Sequence, residues 1–137
     1  MTSAVGKALG LKVSGSSLDM VEAIRKGLRK EAVDHVAVAL EVSPAEISRF
    51  LHVSPRTIHR YKPEEILSLD VSDHLVQICK VYDRALAIFG DRRKALRWLR
   101  YPSQPLGNTT PFDLLDTSAG VEMVIDELGR IEYGIFA

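Results

Sequence analysis

Cysteine is nearly missing from this chain: Cys79 is the only one in 137 residues. No intramolecular disulfide can form, so a secreted scaffold held by cross-links is excluded. Cys79 falls on an apolar helical stripe, which points to an inert buried thiol. Long apolar runs are missing too. No stretch approaches the roughly 18 consecutive apolar residues of a membrane-spanning helix, and the N-terminal MTSAVGKALGLKVSGSS contains no long apolar segment. The chain is therefore expected to be soluble and cytoplasmic. Net charge of either sign is also lacking, because 18 Lys/Arg balance 18 Asp/Glu.

Catalytic signatures are absent as well. His35, His52, His59 and His74 are not spaced as a zinc motif, and no second cysteine completes a Cys/His site. Gly10 and Gly15 have the spacing of a phosphate loop, but Ser16 stands where Lys is required and no strand precedes them. Neither a dinucleotide glycine fingerprint nor a nucleophile elbow occurs. The expectation is a binding protein, not an enzyme, with no catalytic residue, no metal site and no cofactor.

What is present is ordinary globular material, 46% hydrophobic and 26% charged, in a length that allows one core or two small cooperating halves. The charge is unevenly placed. Residues 1–62 carry a net +4, residues 63–100 a net +1 and residues 101–137 a net −5. A basic front and an acidic back suggest nucleic acid at one end and a cationic protein surface at the other.

Residues 1–17 are small, Gly- and Ser-rich and aperiodic, and read as a flexible arm. Beyond them the periodicity is helical. Val21, Ile24 and Leu28 mark a first short helix with Gly27 near its end, and Val33, Val36, Ala37 and Leu40 a second. Ser43-Pro44-Ala45-Glu46 combines an N-cap, a first-turn proline and a capping-box glutamate, and Ser54-Pro55 starts another helix ending near Tyr61, before Pro63. A long helix is expected from Val71 to Phe89, as a core element or a dimer seam, and Asp91 caps a further one carrying Trp98. Thr110-Pro111 starts one more turn. The spacing of Val121, Val124, Ile125 and Leu128 predicts a last helix from Ser118 to Leu128 ended by Gly129. The alternating Ile131, Tyr133 and Ile135 then suggest a short extended tail.

Two features carry functional information. The short helices at 44–51 and 55–61 are joined tightly, and the second offers Arg56, Thr57, His59 and Arg60 outward while Ile58 and Tyr61 face in. These side chains suit DNA phosphates and base edges in a helix-turn-helix, although the same pattern fits a structural hairpin with a solvated basic face. The second feature is the apolar C-terminus, which would be unfavourable in water and is expected to dock, on its own core or on a partner.

The stretch MVEAIRKGL followed by SPAEISRFLHVSPRTIHRYK resembles the helix-turn-helix portion of MbcA/ParS/Xre antitoxins. FGD at 89–91, WL at 98–99, LGNTTPFDLLDT at 106–117 and LGRIEYGIF at 128–136 resemble their toxin-binding portion. One departure is Gly107-Asn108, where the family usually has two glycines; Asn tolerates the left-handed conformation and should preserve the turn. The resemblance implies an all-α fold, with an N-terminal helix-turn-helix bundle over 18–69 and a C-terminal helical dimerisation and toxin-binding domain over 70–137. It further implies a RES-domain toxin that degrades NAD or transfers ADP-ribose, occlusion of that toxin's NAD pocket, and repression of the protein's own operon. The expected DNA contacts are Arg56, Thr57, His59 and Arg60. The expected toxin contacts are Trp98, Asp113, Arg130, Glu132, Tyr133, Ile135 and Phe136; for Arg130, the only basic residue after Arg100, a surface ion pair or a charge interaction with a helix C-terminus is the alternative. The expected partners are the cognate toxin, operator DNA and a second copy of the chain within a hetero-oligomer. The alternative is a free-standing helix-turn-helix regulator whose C-terminal half only dimerises.

Overall fold

A computed structural model describes residues 17–136; the expected arm and the Gly10/Gly15 spacing fall outside them, apart from Ser17. Within the described residues the chain is helical, with no strand beyond two isolated bridges, so the all-α expectation holds. It divides into two compact units, the first ending at Cys79 and the second beginning at Lys80.

The first unit contains α1 (Ser17–Lys26), α2 (Glu31–Leu40), α3 (Pro44–Leu51), α4 (Pro55–Arg60) and the front of α5 (Leu69–Phe89). The local start signals form as the sequence prescribes. Ser43 Oγ accepts the Glu46 N–H at 3.1 Å while Glu46 Oε1 accepts the Ser43 N–H at 3.1 Å, so a reciprocal capping box satisfies two donors at the head of α3. Gly27 ends α1 at a φ of 94°, and a Cβ there would run into Ile66 and the Leu67 carbonyl. Leu28, expected on α1, instead lies past its end. It is buried, donates its N–H to Ser72 Oγ at 3.0 Å and accepts the Leu67 N–H at 2.8 Å. No side chain caps α2; its first donors go to the 63–65 segment, Lys30 N–H to the Glu65 carbonyl and Glu31 N–H to the Pro63 carbonyl. Val33, Val36, Leu40, Ile47, Phe50, Leu51, Leu75 and Ile78 are buried.

The second unit contains the back of α5, α6 (Arg92–Leu99), two 3₁₀ turns (Gln104–Leu106 and Pro111–Leu114) and α7 (Ser118–Phe136). Asp91 caps α6 by accepting the Arg93 N–H at 2.9 Å, and Thr110 caps the second 3₁₀ turn by accepting the Asp113 N–H at 3.1 Å. Gly107 and Asn108 have φ of 78° and 62°, so Asn108 adopts the left-handed geometry expected of it. Gly120 permits the closest approach in this unit, because any Cβ would overlap the Leu114 carbonyl oxygen. Leu99, Leu115, Val124 and Leu128 are completely buried.

The predicted end of the chain needs correction. Gly129 does not stop the last helix, and residues 130–136 are not extended: α7 continues through Phe136. Gly129 and Gly134 lie inside the helix with open space where a Cβ would be. Helical glycine costs about 1 kcal/mol each relative to Ala. Side-chain ion pairs span this stretch of the helix, Arg84 to Glu132 at 3.1 Å and Arg130 to Glu127 at 2.8 Å.

Candidate functional site

In the first unit, α3 and α4 are joined by a turn of three residues. His52 takes a φ of 57°, and Val53 N–H returns to the Ser48 carbonyl at 3.2 Å, which closes the end of α3 and redirects the chain. Ser54 then caps α4 by accepting the Thr57 N–H at 3.1 Å, with Pro55 in the first turn. The result is a short helix following tightly on another.

On α4, Arg56, His59 and Arg60 are exposed, and Ile58 and Tyr61 are half-buried and line a small cavity with Val33, Leu51 and Leu67. Thr57 differs in kind. It is half-buried, and its Oγ1 accepts the Ser54 hydroxyl at 2.9 Å. Three cationic or titratable side chains thus face water together, while Thr57 is tied into the cap. Beside them runs an open groove lined by Ser48, Arg49, His52 and Ser54, which the sequence reading did not single out.

In the second unit, Trp98 is half-buried, its ring centroid 5.9 Å from that of Phe89 at an interplanar angle of 37°. That is a tilted aromatic contact within the unit. Asp113 is exposed, and its Oδ2 accepts the Thr109 hydroxyl at 3.3 Å.

The remaining candidates share α7. Val121, Val124 and Leu128 are buried. On the outward side, at spacings of three and four, stand Met123, Asp126, Arg130 and Tyr133, all exposed. Tyr133 is 79% exposed, an unusual situation for a large aromatic side chain. Glu132 is half-buried and pairs with Arg84. The backbone of Ile135 and Phe136 belongs to α7, and their side chains lie outside the described residues. Arg130, expected as a polar contact for a partner, is also bound within its own helix: both Nε and Nη2 reach Glu127 Oε2 at 2.8 Å.

Glu127 was not foreseen. It is 7% exposed, the one buried charged residue among the described residues. Its i, i+3 spacing to Arg130 is readable in the sequence, but only for a helix that passes Gly129. Arg84, 48 positions from Glu132, leaves no such local signal. Among the described residues no three His, Cys, Asp or Glu side chains could hold a metal ion, and no helix is long and apolar enough to cross a membrane.

Two family models match these two regions. Residues 19–79 match the antitoxin Xre-like helix-turn-helix domain, and residues 84–134 match the antitoxin Xre/MbcA/ParS C-terminal toxin-binding domain. Among curated proteins, an "Antitoxin Xre" of Yersinia enterocolitica is 30% identical over 99% of this chain and 93% of its own length. An "Antitoxin Xre" of Photorhabdus laumondii is 31% identical over 89% of this chain and 82% of its own. A "Prs ADP-ribosylating antitoxin" of a Sphingobium species is 25% identical over 89% of this chain and 83% of its own.

Proposed function

The chain belongs to the Xre/MbcA/ParS antitoxin family, and from that premise we propose that its toxin is a RES-domain enzyme that degrades NAD or transfers its ADP-ribose. The antitoxin silences that enzyme by covering its NAD pocket with the C-terminal end of α7. It represses its own operon through α4, as a homodimer within the toxin complex. The observation that carries the toxin half is the exposed face of α7: a helix ending the matched toxin-binding domain presents Arg130 and Tyr133 to water. Tyr and Arg are enriched among the residues that dominate interface energies. The face is helical, so occlusion is by the end of a helix laid on or into the pocket, with Asp126, Arg130 and Tyr133 on one line.

Charge supports the same reading, since residues 101–137 carry a net −5 and a pocket for an anionic dinucleotide is basic and concave. The DNA half rests on the exposed Arg56, His59 and Arg60 of α4, which follow a tight turn in a matched helix-turn-helix. Such a module reads a short half-site, which favours a dimer.

The test is co-expression of the chain with the toxin of its own operon, with total cellular NAD as the readout. Preserved NAD with the wild-type chain and depletion with Tyr133→Ala is the expected pair of results. NAD that falls equally with both, alongside normal operator binding, supports a free-standing regulator instead.

A further inference from the structure

The two ends of the Arg130–Glu127 pair have opposite exposures. The Glu127 side chain is 10% exposed and that of Arg130 62%. An exposed arginine normally samples many rotamers, and binding must immobilise it. Here the carboxylate that holds it is itself fixed by burial, one residue before the fully buried Leu128. Because Nε and Nη2 both reach Oε2 at 2.8 Å, one edge of the guanidinium is occupied. The planar group has five donors, so the opposite edge keeps about three N–H bonds in a fixed plane. Arg130 and Tyr133 lie three residues apart, both exposed, on α7.

We infer that Glu127 is a positioning residue for toxin binding: it holds the Arg130 guanidinium in one orientation, so that its outer edge meets a planar oxygen acceptor, such as a carboxylate, on the toxin. This rests on the proposed role of the α7 face. A purely structural role is a poor account of the pair, because a buried carboxylate is costly and an exposed partner screens the return. An apolar residue of similar length would fill the Glu127 position at lower cost.

Glu127→Gln keeps both shape and an acceptor oxygen, whereas Glu127→Met keeps shape alone. In the free full-length chain, nitrogen-15 NMR of arginine side chains is expected to show a slowly exchanging Arg130 Nε–H in the wild type and in E127Q, and a rapidly exchanging one in E127M. Toxin affinity is then measured with the purified toxin of the same operon. Immobilising one long side chain costs about 0.5–1.5 kcal/mol, so E127M is expected to weaken binding roughly 3- to 10-fold. E127Q should stay within about 2-fold of wild type, and Arg130→Ala should lose about 30-fold or more as a dominant contact does. In the Arg130→Ala background, adding E127M should change affinity by less than about 2-fold, because the position acts only through Arg130.

A rapidly exchanging Nε–H in the wild type overturns the inference. So does E127M that binds as tightly as wild type while Arg130→Ala is impaired, and in that case the α7 reading survives. If Arg130→Ala and Tyr133→Ala both bind as wild type, the α7 reading itself is wrong and the inference falls with it. An E127M effect of equal size in both backgrounds identifies a general packing role and also refutes positioning.

Discussion

Replacing Ser48 by alanine is expected to stabilise the protein. Ser48 lies in α3 among the buried Ile47, Phe50 and Leu51; it is 6% exposed, and its hydroxyl oxygen has no hydrogen-bond partner. A hydroxyl buried without a partner costs about 1–3 kcal/mol on protein mutational scales. Alanine also gains up to roughly 0.5 kcal/mol in helix preference over serine. Against this stand the lost dispersion contacts of one oxygen atom, at about 0.1–0.2 kcal/mol per atom pair, or several tenths in all. The net expectation is about 1–3 kcal/mol of added stability, each kcal/mol being worth roughly 4–8 °C in melting temperature for a unit of this size. The assay is amide hydrogen exchange at Phe50 and Leu51, backed by far-ultraviolet circular dichroism. Loss of protection at those amides in Ser48→Ala would show that the hydroxyl is satisfied in solution, and would refute the reasoning.

Three further outcomes follow from other positions. Replacing Arg56 and Arg60 together by alanine should lower the slope of log K against log salt for operator binding by about 1.8, at about 0.9 per phosphate contact, in mobility-shift titrations; toxin neutralisation should be untouched, and an unchanged slope removes α4 from the DNA interface. Gly120→Ala should destabilise the second unit by about 3 kcal/mol or more, because the new Cβ overlaps the Leu114 carbonyl oxygen and backbone must move; the denaturant midpoint of Trp98 fluorescence reports it, and an unchanged midpoint contradicts the close approach. Light scattering at micromolar concentration should give the mass of a homodimer, and a monomer with and without toxin counts against two-fold operator recognition.

Local chemistry was the legible part of this fold. The starts at Ser43, Ser54, Asp91 and Thr110 each depend on a side chain two or three residues from the donor it satisfies, so sequence spacing contains the whole interaction. The left-handed Asn108 was readable for the same reason. Non-local chemistry was not legible. Leu28 leaves the first helix because Ser72 and Leu67, about 40 residues away, take its backbone groups. Gly129 reads as a stop signal by propensity, yet its helix continues, with Arg84 holding Glu132 beyond it. The alternation of Ile131, Tyr133 and Ile135 carried too little information to separate a strand from the end of a helix. On α4 the exposure of Arg56, His59 and Arg60 was readable because spacing within a short capped helix is itself local. The Glu127 anchor of Arg130 was hidden by the error at Gly129.

Whether the α7 face inhibits the toxin is decided by titrating purified toxin with the full-length chain while following NAD consumption. The wild type should inhibit stoichiometrically, and Arg130→Ala and Tyr133→Ala should each raise the inhibition constant about 30-fold or more, with melting profiles that retain a folded second unit. Wild-type inhibition matched by the doubly substituted chain, still folded, would contradict inhibition by this face and move the inhibitory surface to the region of Trp98 and Asp113.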